Sequence, residues 1–469
     1  MTVIAKLKAE LAGLRLEENT ALVKQKSRDF FWYSPVLKSQ LDHITADIVV
    51  YASSEADIMR TLAVCFAHGV PLTVRGAGTG NYGQAMPLAG GLVLDVSAIN
   101  DIRLIAPGRV ITGPGAILGD IDAAARAHSN QELRLHPSTA RTATIAGFIA
   151  GGSGGVGSIQ WGGLRDLGNI IRLRVLTMEA APRILDLRGA DLHKVSHAYG
   201  TNGVITEVEM PLAPSYDWIE ALVSFDDVMI AARCANELGM MDGLLKKELA
   251  VVGAPVPFDY FLRHQKFLRR QDSIIIAMVA PHAIDAFQWA VEQYKGRVAF
   301  RSDASGTSDS KGLPPAYELT WNHTTLRALR VDPMITYLQV LYPAPNHLAL
   351  IERMHQLLGD EVPVHLEFTR FNGAVTAFGL PLLRFTSVER LDEIVRLFED
   401  NGCPVFNPHR YTLEEGGMKQ SNPVQLAFKR EADPKGLLNP GKMIAWDDPD
   451  HDFSTDKLYL FPGMQDNVA

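Results

Sequence analysis

A chain of 469 residues, 47% hydrophobic and 21% charged, is about three times the usual single-domain length, so two or three soluble domains are expected. Its formal net charge of −8 argues against a general nucleic-acid binder. The three cysteines, Cys65, Cys234 and Cys403, are far apart and form no CxxC pair. That disfavours a disulfide framework, a cysteine-rich zinc site and a chain-borne iron–sulfur cluster.

The first elements are helical. Ile4, Leu7, Leu11 and Leu14 recur at helical spacing among charged residues, which predicts an amphipathic helix and no signal peptide. DIVVYAS predicts a strand. EADIMRTLAVCFAHG predicts a helix with Ile58, Leu62 and Phe66 on one face and Gly69 at its end. PLTV, GGLVLDVS and RVITGPG predict further strands, and GDIDAAARAHS another helix. The uncharged run between Arg141 and Arg165 is long enough to span a bilayer. Its eight glycines make it a poor membrane helix and a better ligand loop. After Pro211 glycine thins out, and WIEALVSF, VMIAARCANELG, SIIIAMVA and AIDAFQWAVEQYKG alternate strand and helix again. DPKGLLNPGKM then breaks regular structure.

Two segments spell GxGxxG: Gly78, Gly80, Gly83 and Gly152, Gly154, Gly157. Neither has the strand-before, helix-after context of a dinucleotide fingerprint. The first exits through Pro87 and a glycine pair, and the second follows the helical-looking TATIAGFIA. The glycines still suit a phosphate, because consecutive backbone N–H groups in such turns form concave anion sites. Arg75 can add a charged hydrogen bond or pack beside the loop. A tight loop without a ligand accounts for RGAGTGN equally well when the loop is taken alone.

Taken together, four motifs occur in order: VRGAGTGNYGQAMPLAGGLVLDVS, LHPSTARTATIAGFIAGGSGGVGSIQWGGLRDLGNIIRLRVLTM, YGTNGVITEVEMPLAP and ADPKGLLNPGKM. They resemble the FAD-binding domain of the vanillyl-alcohol oxidase / p-cresol methylhydroxylase superfamily, within it the D-lactate dehydrogenase and glycolate oxidase flavoprotein branch. The resemblance spans about residues 45–215 and 430–445. It implies an α+β two-domain flavoprotein with an N-terminal helical segment 1–44 and a PCMH-type FAD-binding domain 45–214. An α+β cap or substrate domain 215–425 follows, and a C-terminal segment 426–469 returns to the FAD domain.

The resemblance also implies site roles. Arg75, Gly76, Ala77, Gly78, Thr79, Gly80 and Asn81 would cradle the FAD pyrophosphate. Pro137, Ser138, Thr144, Ile145 and Gly147 would line the flavin and its ribityl chain, with Gly154, Gly155 and Ser158 continuing that wall. Gly203, Val204 and Ile205 would hold the adenine end, and Asn439 and Lys442 would bring the tail back to the flavin. Members with covalent flavin carry a histidine where this chain has Thr79, so non-covalent FAD is expected. AGGSGG replaces the branch's ATNAGG. The branch's metal-associated histidine motifs are missing, with PVHLEFTRFNG and VFNPHRYTLEEGG in their place.

Oxidising an alcohol on flavin needs a base within reach of the hydroxyl, and histidine is the default. The candidates are His323 in TWNHTTL, His365 in VHLEF and His409 in FNPHRY. His365 and Glu367 share one strand face, and with His409 they could alternatively bind a metal. Arg370 could clamp a substrate carboxylate, with Arg410 as a second choice. Tyr337 and Tyr411 are hydroxyl donors, and Trp161 is either a flavin neighbour or ordinary core. The expected activity is an FAD-dependent dehydrogenase acting on a small 2-hydroxy acid or alcohol. An external quinone, cytochrome or electron-transfer flavoprotein would serve as electron acceptor. The alternatives are an oxidase using molecular oxygen, a flavin-binding helper subunit of a redox complex and, weakest, a pyridine-nucleotide enzyme. A homodimer or a subunit of such a complex fits, as does a cytoplasmic location with or without peripheral membrane attachment.

Overall fold

The computed structural model describes residues 2–152, 154–303, 312–420 and 422–451. The expected C-terminal segment 426–469 therefore runs past the described residues.

A small sheet forms the start of the fold. Strands Ile48–Tyr51 and Leu72–Arg75 both run parallel to Leu92–Asp95. Their continuous apolar character suits strands covered on both faces. The crossover helix Glu55–His68 is fixed at one end by a capping box of Ser54 and Asp57. At the other end Gly69 takes φ 64°, a conformation that costs glycine little. The first 44 residues hold the helices Val3–Glu10, Thr20–Lys26 and Pro35–Leu41. They also contain Arg15–Glu17, an edge strand antiparallel to Ile48–Tyr51 that is too short to register against a helical pattern. The tail closes the other edge: Leu72 N–H donates to Leu437 O, and Asn439 N–H to Leu72 O.

A second, antiparallel sheet is built around the long strand Val204–Pro214, which pairs with Arg109–Thr112, Gln131–Leu133 and Arg172–Leu176. The helices Leu118–Ser129 and Ile145–Gly151 pack on it. TATIAGFIA is thus helical, as its pattern predicts.

The middle of the chain forms a seven-stranded antiparallel sheet. Its order is Arg297–Arg301, Ile219–Phe225, Ser273–Val279, Lys246–Val252, His365–Phe371, Ala374–Gly379 and Val340–Tyr342. Strand parity divides its side chains. Ala221, Val223, Leu249, Val251, Ile275 and Ala277 face helices that include Val228–Met240 and Ile284–Gln293. Leu222, Ala250, Val252, Ile274 and Ile276 face the other way, onto Tyr33, Trp321 and Tyr337. That second face carries the sheet's buried carboxyls toward the first two sheets, and the candidate site lies there.

Candidate active site

One continuous cleft runs between the glycine loops and the seven-stranded sheet. Its first arm, about 800 Å³ of space open to solvent, is lined by Val74 through Gly80, by Thr144 and Gly147, and by Gly203, Val204 and Ile205. Its second arm, about 960 Å³, shares Thr79, Gly80, Gln84, Gly147, Gly151 and Tyr199 with the first. It continues past Asn81, Pro137, Ser138 and Gly154 to Trp321, Asn322, His323, Gln339 and Leu380. A cleft at a boundary between structural units is a usual place for a cofactor.

The first arm is built for an anion. Strand Leu72–Arg75 ends in the loop Gly76–Asn81, and among the described residues nothing accepts from that loop's backbone N–H groups. A row of free N–H groups on a glycine loop is a phosphate cradle. The loop is also pressed close to its surroundings. A Cβ on Gly76 would sit 2.0 Å from Thr144 Oγ1, and one on Gly78, at φ 69°, would sit 2.1 Å from the Arg75 guanidinium. Thr144 Oγ1 is itself buried without a partner.

Arg75 braces the loop from behind. Its guanidinium donates to the carbonyls of Lys26, Arg28, Gly76 and Ala77, which ties the N-terminal segment to the glycine turn. Of the other residues named from the sequence for this cofactor, five do not line the cleft. Ile145 is core. Ser158 Oγ donates to Gly155 O, 2.5 Å, and Gly155 packs on the His136 carbonyl. Asn439 Nδ2 donates to Gln84 O and Tyr199 O, 2.7 and 2.6 Å. Lys442 Nζ donates to Gly83 O, 2.6 Å, from a fully buried position that pushes its pKa down to about 7, while Asp29 pulls it up. These two tail residues hold the loops that make the cleft.

The second arm has no Asp, Glu, Lys or Arg among its described lining residues. Burial keeps its histidines neutral: His197 is pushed down to about 3, and His323, with Arg327 and Arg330 adding to the effect, to about 4. Tyr82 donates to Gln339 Oε1, 2.8 Å, and Asn81 Nδ2 donates to the Tyr337 hydroxyl, 2.6 Å. Burial raises both phenols well above their ordinary range.

The five residues named for catalysis separate cleanly. His323 lines the arm, and its Nδ1 is buried without a partner, as is the neighbouring Asn322 Oδ1. His409 sits behind the wall with both ring nitrogens engaged: Nδ1 takes the Ser34 hydroxyl, 2.7 Å, and Nε2–H donates to Tyr337 O, 3.0 Å. His365 is equally occupied, with Nδ1–H on Leu380 O at 2.9 Å and Nε2 on Glu367 Oε1 at 2.7 Å. Arg370 has the opposite strand parity to His365 and Glu367, so it leaves that face and pairs with Asp242. Tyr337 is buried beneath the lining with only its hydroxyl reaching Asn81. Among the described residues no three His, Cys, Asp or Glu side chains gather to hold a metal ion. Trp161 is neither core nor cleft: it is 36% exposed, with the Arg134 guanidinium 4.5 Å from its ring centroid. Lining residues that the motifs do not single out include Phe30 and Tyr33, whose signal was the aromatic run FFWY, and Trp321 and Asn322, which flank His323 in TWNHTTL.

Residues 46–181 match the family model described as an FAD binding domain. The chain is an FAD-linked oxidoreductase. The flavoprotein is 25% identical over 433 residues to a D-lactate dehydrogenase of Archaeoglobus fulgidus, covering 85% of this chain and 91% of that one. It is 29% identical over 437 residues to the glycolate oxidase subunit GlcD of Bacillus subtilis, covering 86% and 89%. Its fold is shared with an alkyldihydroxyacetonephosphate synthase (TM-score 0.70, 14% identity, 93% and 85% covered). The 4-ethylphenol oxidase of Gulosibacter chungangensis shares it too (TM-score 0.68, 17% identity, 94% and 97% covered). The free N–H row, the glycine contacts and the uncharged second arm fit FAD: a cradle for its phosphates in one arm and an uncharged wall for its ring system in the other. No helix among the described residues is long and apolar enough to cross a membrane.

Proposed function

We propose that this flavoprotein is a dehydrogenase that oxidises the CH–OH group of a small 2-hydroxy acid, with His323 as the base. The named activities of the two long-matching relatives, a D-lactate dehydrogenase and a glycolate oxidase subunit, supply the substrate class. The observation that carries the base is His323 itself. It is the one of the three candidate histidines that lines the cleft, and it keeps a buried ring nitrogen without a partner. Bound non-covalently, FAD supplies the hydride acceptor at N5.

The chain's own residues do the rest. The Gly76–Asn81 N–H groups hold the pyrophosphate, with Thr79 in the place of a covalent attachment. Val204 and Ile205 would wall the adenine end of FAD, and Gly154 and Pro137 its ring. Neutral His323 accepts the substrate hydroxyl proton as the C–H bond breaks. A substrate carboxylate meets the side-chain amides of Asn322 and Gln339, the latter held by the Tyr82 hydroxyl, in place of a side-chain cation. The electron acceptor that reoxidises the protein is external: a quinone, a cytochrome or an electron-transfer flavoprotein.

Anaerobic addition of D- and L-2-hydroxy acids and simple alcohols to the FAD-loaded protein tests this. Bleaching of the flavin band by one hydroxy-acid enantiomer is expected. Bleaching by alcohols alone, or by no member of the panel, would sink the substrate class. Fast turnover on oxygen with no added acceptor would make it an oxidase.

A further inference from the structure

Trp321 is held where its backbone resists going. It takes φ 52° and ψ −142°, in the positive-φ region that bulky residues avoid, and it immediately precedes the helix Asn322–Leu329. Two buried carboxyls hold it there. Its backbone N–H donates to Glu367 Oε1, 2.5 Å, and its indole Nε1–H donates to Glu248 Oε2, 3.3 Å. Both carboxyls come from the seven-stranded sheet. Ala250 is in register with Glu367, so Glu248 is the diagonal neighbour of Glu367 on the same face. His365 anchors Glu367 from the far side, and His365 is fixed in turn by the Leu380 carbonyl. Across the arm, Gly154 leaves room for the indole: a Cβ there would sit 3.2 Å from the Trp321 ring. The next two residues, Asn322 and His323, line the cleft, and each carries a buried polar atom without a partner.

We infer that Glu367 is a positioning residue: it clamps the Trp321 turn in its strained conformation and thereby presents Asn322 and His323 to the substrate. Of the four groups in this network only Trp321 lines the cleft, so Glu367 acts through the turn without touching substrate. The inference rests on the proposed role of His323, and its test separates the two.

The FAD-loaded variants Glu367→Met, of similar volume but with no acceptor, and Glu367→Gln, which keeps the Oε1 acceptor, are compared in two ways. One is the limiting rate of anaerobic flavin reduction by D-lactate. The other is the crystal structure. Glu367→Ala replaces the Met variant if that does not fold. Glu367→Met is expected to release Trp321 from positive φ and draw the His323 ring from the cleft wall. It should lower the limiting rate by about tenfold or more, at unchanged FAD content. Glu367→Gln should restore both only in part, because its amide oxygen can accept the Trp321 N–H but cannot also donate to His365 Nε2 as the protonated carboxyl does. A Met variant whose Trp321 and His323 stay in place overturns the clamp, whatever its rate. The base assignment stands apart. If His323→Ala, or a Met variant with a displaced turn, reduces flavin at the parent rate, the base reading fails and the crystal structure alone decides the clamp.

Discussion

At the residue scale, the glycine loop and His323 do different work and fail differently. Gly76 is pinned against Thr144, a β-branched side chain with little rotamer freedom. Adding one methyl must push the loop off its cradle geometry at a cost of about 1–3 kcal/mol, so Gly76→Ala should weaken FAD binding by about tenfold or more. Equilibrium dialysis measures that, and an unchanged melting temperature of the FAD-free protein would show that the fold survives. His323 makes a prediction about pH. Burial lowers its pKa to about 4, and a lowered pKa keeps a histidine neutral and able to accept a proton. Its protonation should therefore depress kcat/KM only on the acid side, near pH 4, with no falling limb near the ordinary histidine value of about 6.5. His323→Gln should lower kcat/KM by about 10²–10⁴-fold across the profile. An acid limb at the ordinary value in the parent would mean that the ring is solvated, contrary to its buried place in the wall. Sequence alone could name His323 beside His365 and His409 but could not rank them. What ranks them is whether each ring nitrogen is already satisfied, and those partners (Ser34, Tyr337, Leu380) come from distant parts of the chain.

At the element scale, what was legible is what local pattern controls. The helix Glu55–His68 and its Gly69 stop lie in one short segment and were read from it, whereas Arg370 was expected at the substrate although strand parity sends it to the opposite face from His365. Motif order pointed to a glycine-loop cradle, because recognition of that kind is mostly backbone and is written in glycine. The edge strand Arg15–Glu17 was illegible because three residues carry no period and only its pairing with Ile48–Tyr51 makes it a strand. The Trp321 turn was illegible for a related reason, since its hydrogen bonds go to another sheet. That carboxyl pair gives a stability prediction. Burial pushes Glu367 up to about 8 and Glu248 well above its ordinary range, with each other's charge adding to Glu248. Among the described residues they are faced by each other, by His365, by the Trp321 indole and N–H, and by the Leu249 N–H on Glu248 Oε1. The unfolded value is about 4.3, so between that and about pH 8 the folded state holds more protons than the unfolded one. Their contribution to stability is then full below about pH 4.3 and is lost as pH rises toward 8. Urea titrations of the parent and of Glu367→Gln across this window should show a fall in the parent and a shallower one in the variant. Equal slopes would mean that the pair is not buried and neutral.

At the scale of the whole molecule, the cleft exists only while the two halves stay docked, and one cluster beside it joins them. Glu132, on the strand Gln131–Leu133 of the second sheet, receives Lys247 Nζ at 2.7 Å and the Trp218 indole N–H at 3.0 Å. Lys247 belongs to the seven-stranded sheet, and both partners of the ion pair are almost fully buried, at 5% and 3% side-chain exposure. Arg126, from the FAD-binding half, shares the carboxylate. Such a pair contributes little over a well-packed apolar substitute, but removing one partner strands the other. Glu132→Leu leaves the Lys247 ammonium and the Arg126 guanidinium without their carboxylate, at a cost of about 3–5 kcal/mol. The cost falls on the junction, where the pair shares its load with apolar contacts: Ile159 packs into the core on one face of the seven-stranded sheet, and Tyr33 and Val156 into the cluster on the other. Calorimetry of Glu132→Leu should therefore show the single unfolding transition of the parent divided in two, with the flavin released in the first. The double variant Glu132→Leu, Lys247→Met removes the stranded ammonium and should recover most of the loss. A Glu132→Leu protein that still melts once, at the parent temperature and with its flavin, would show that apolar contact alone holds the halves together around the cofactor.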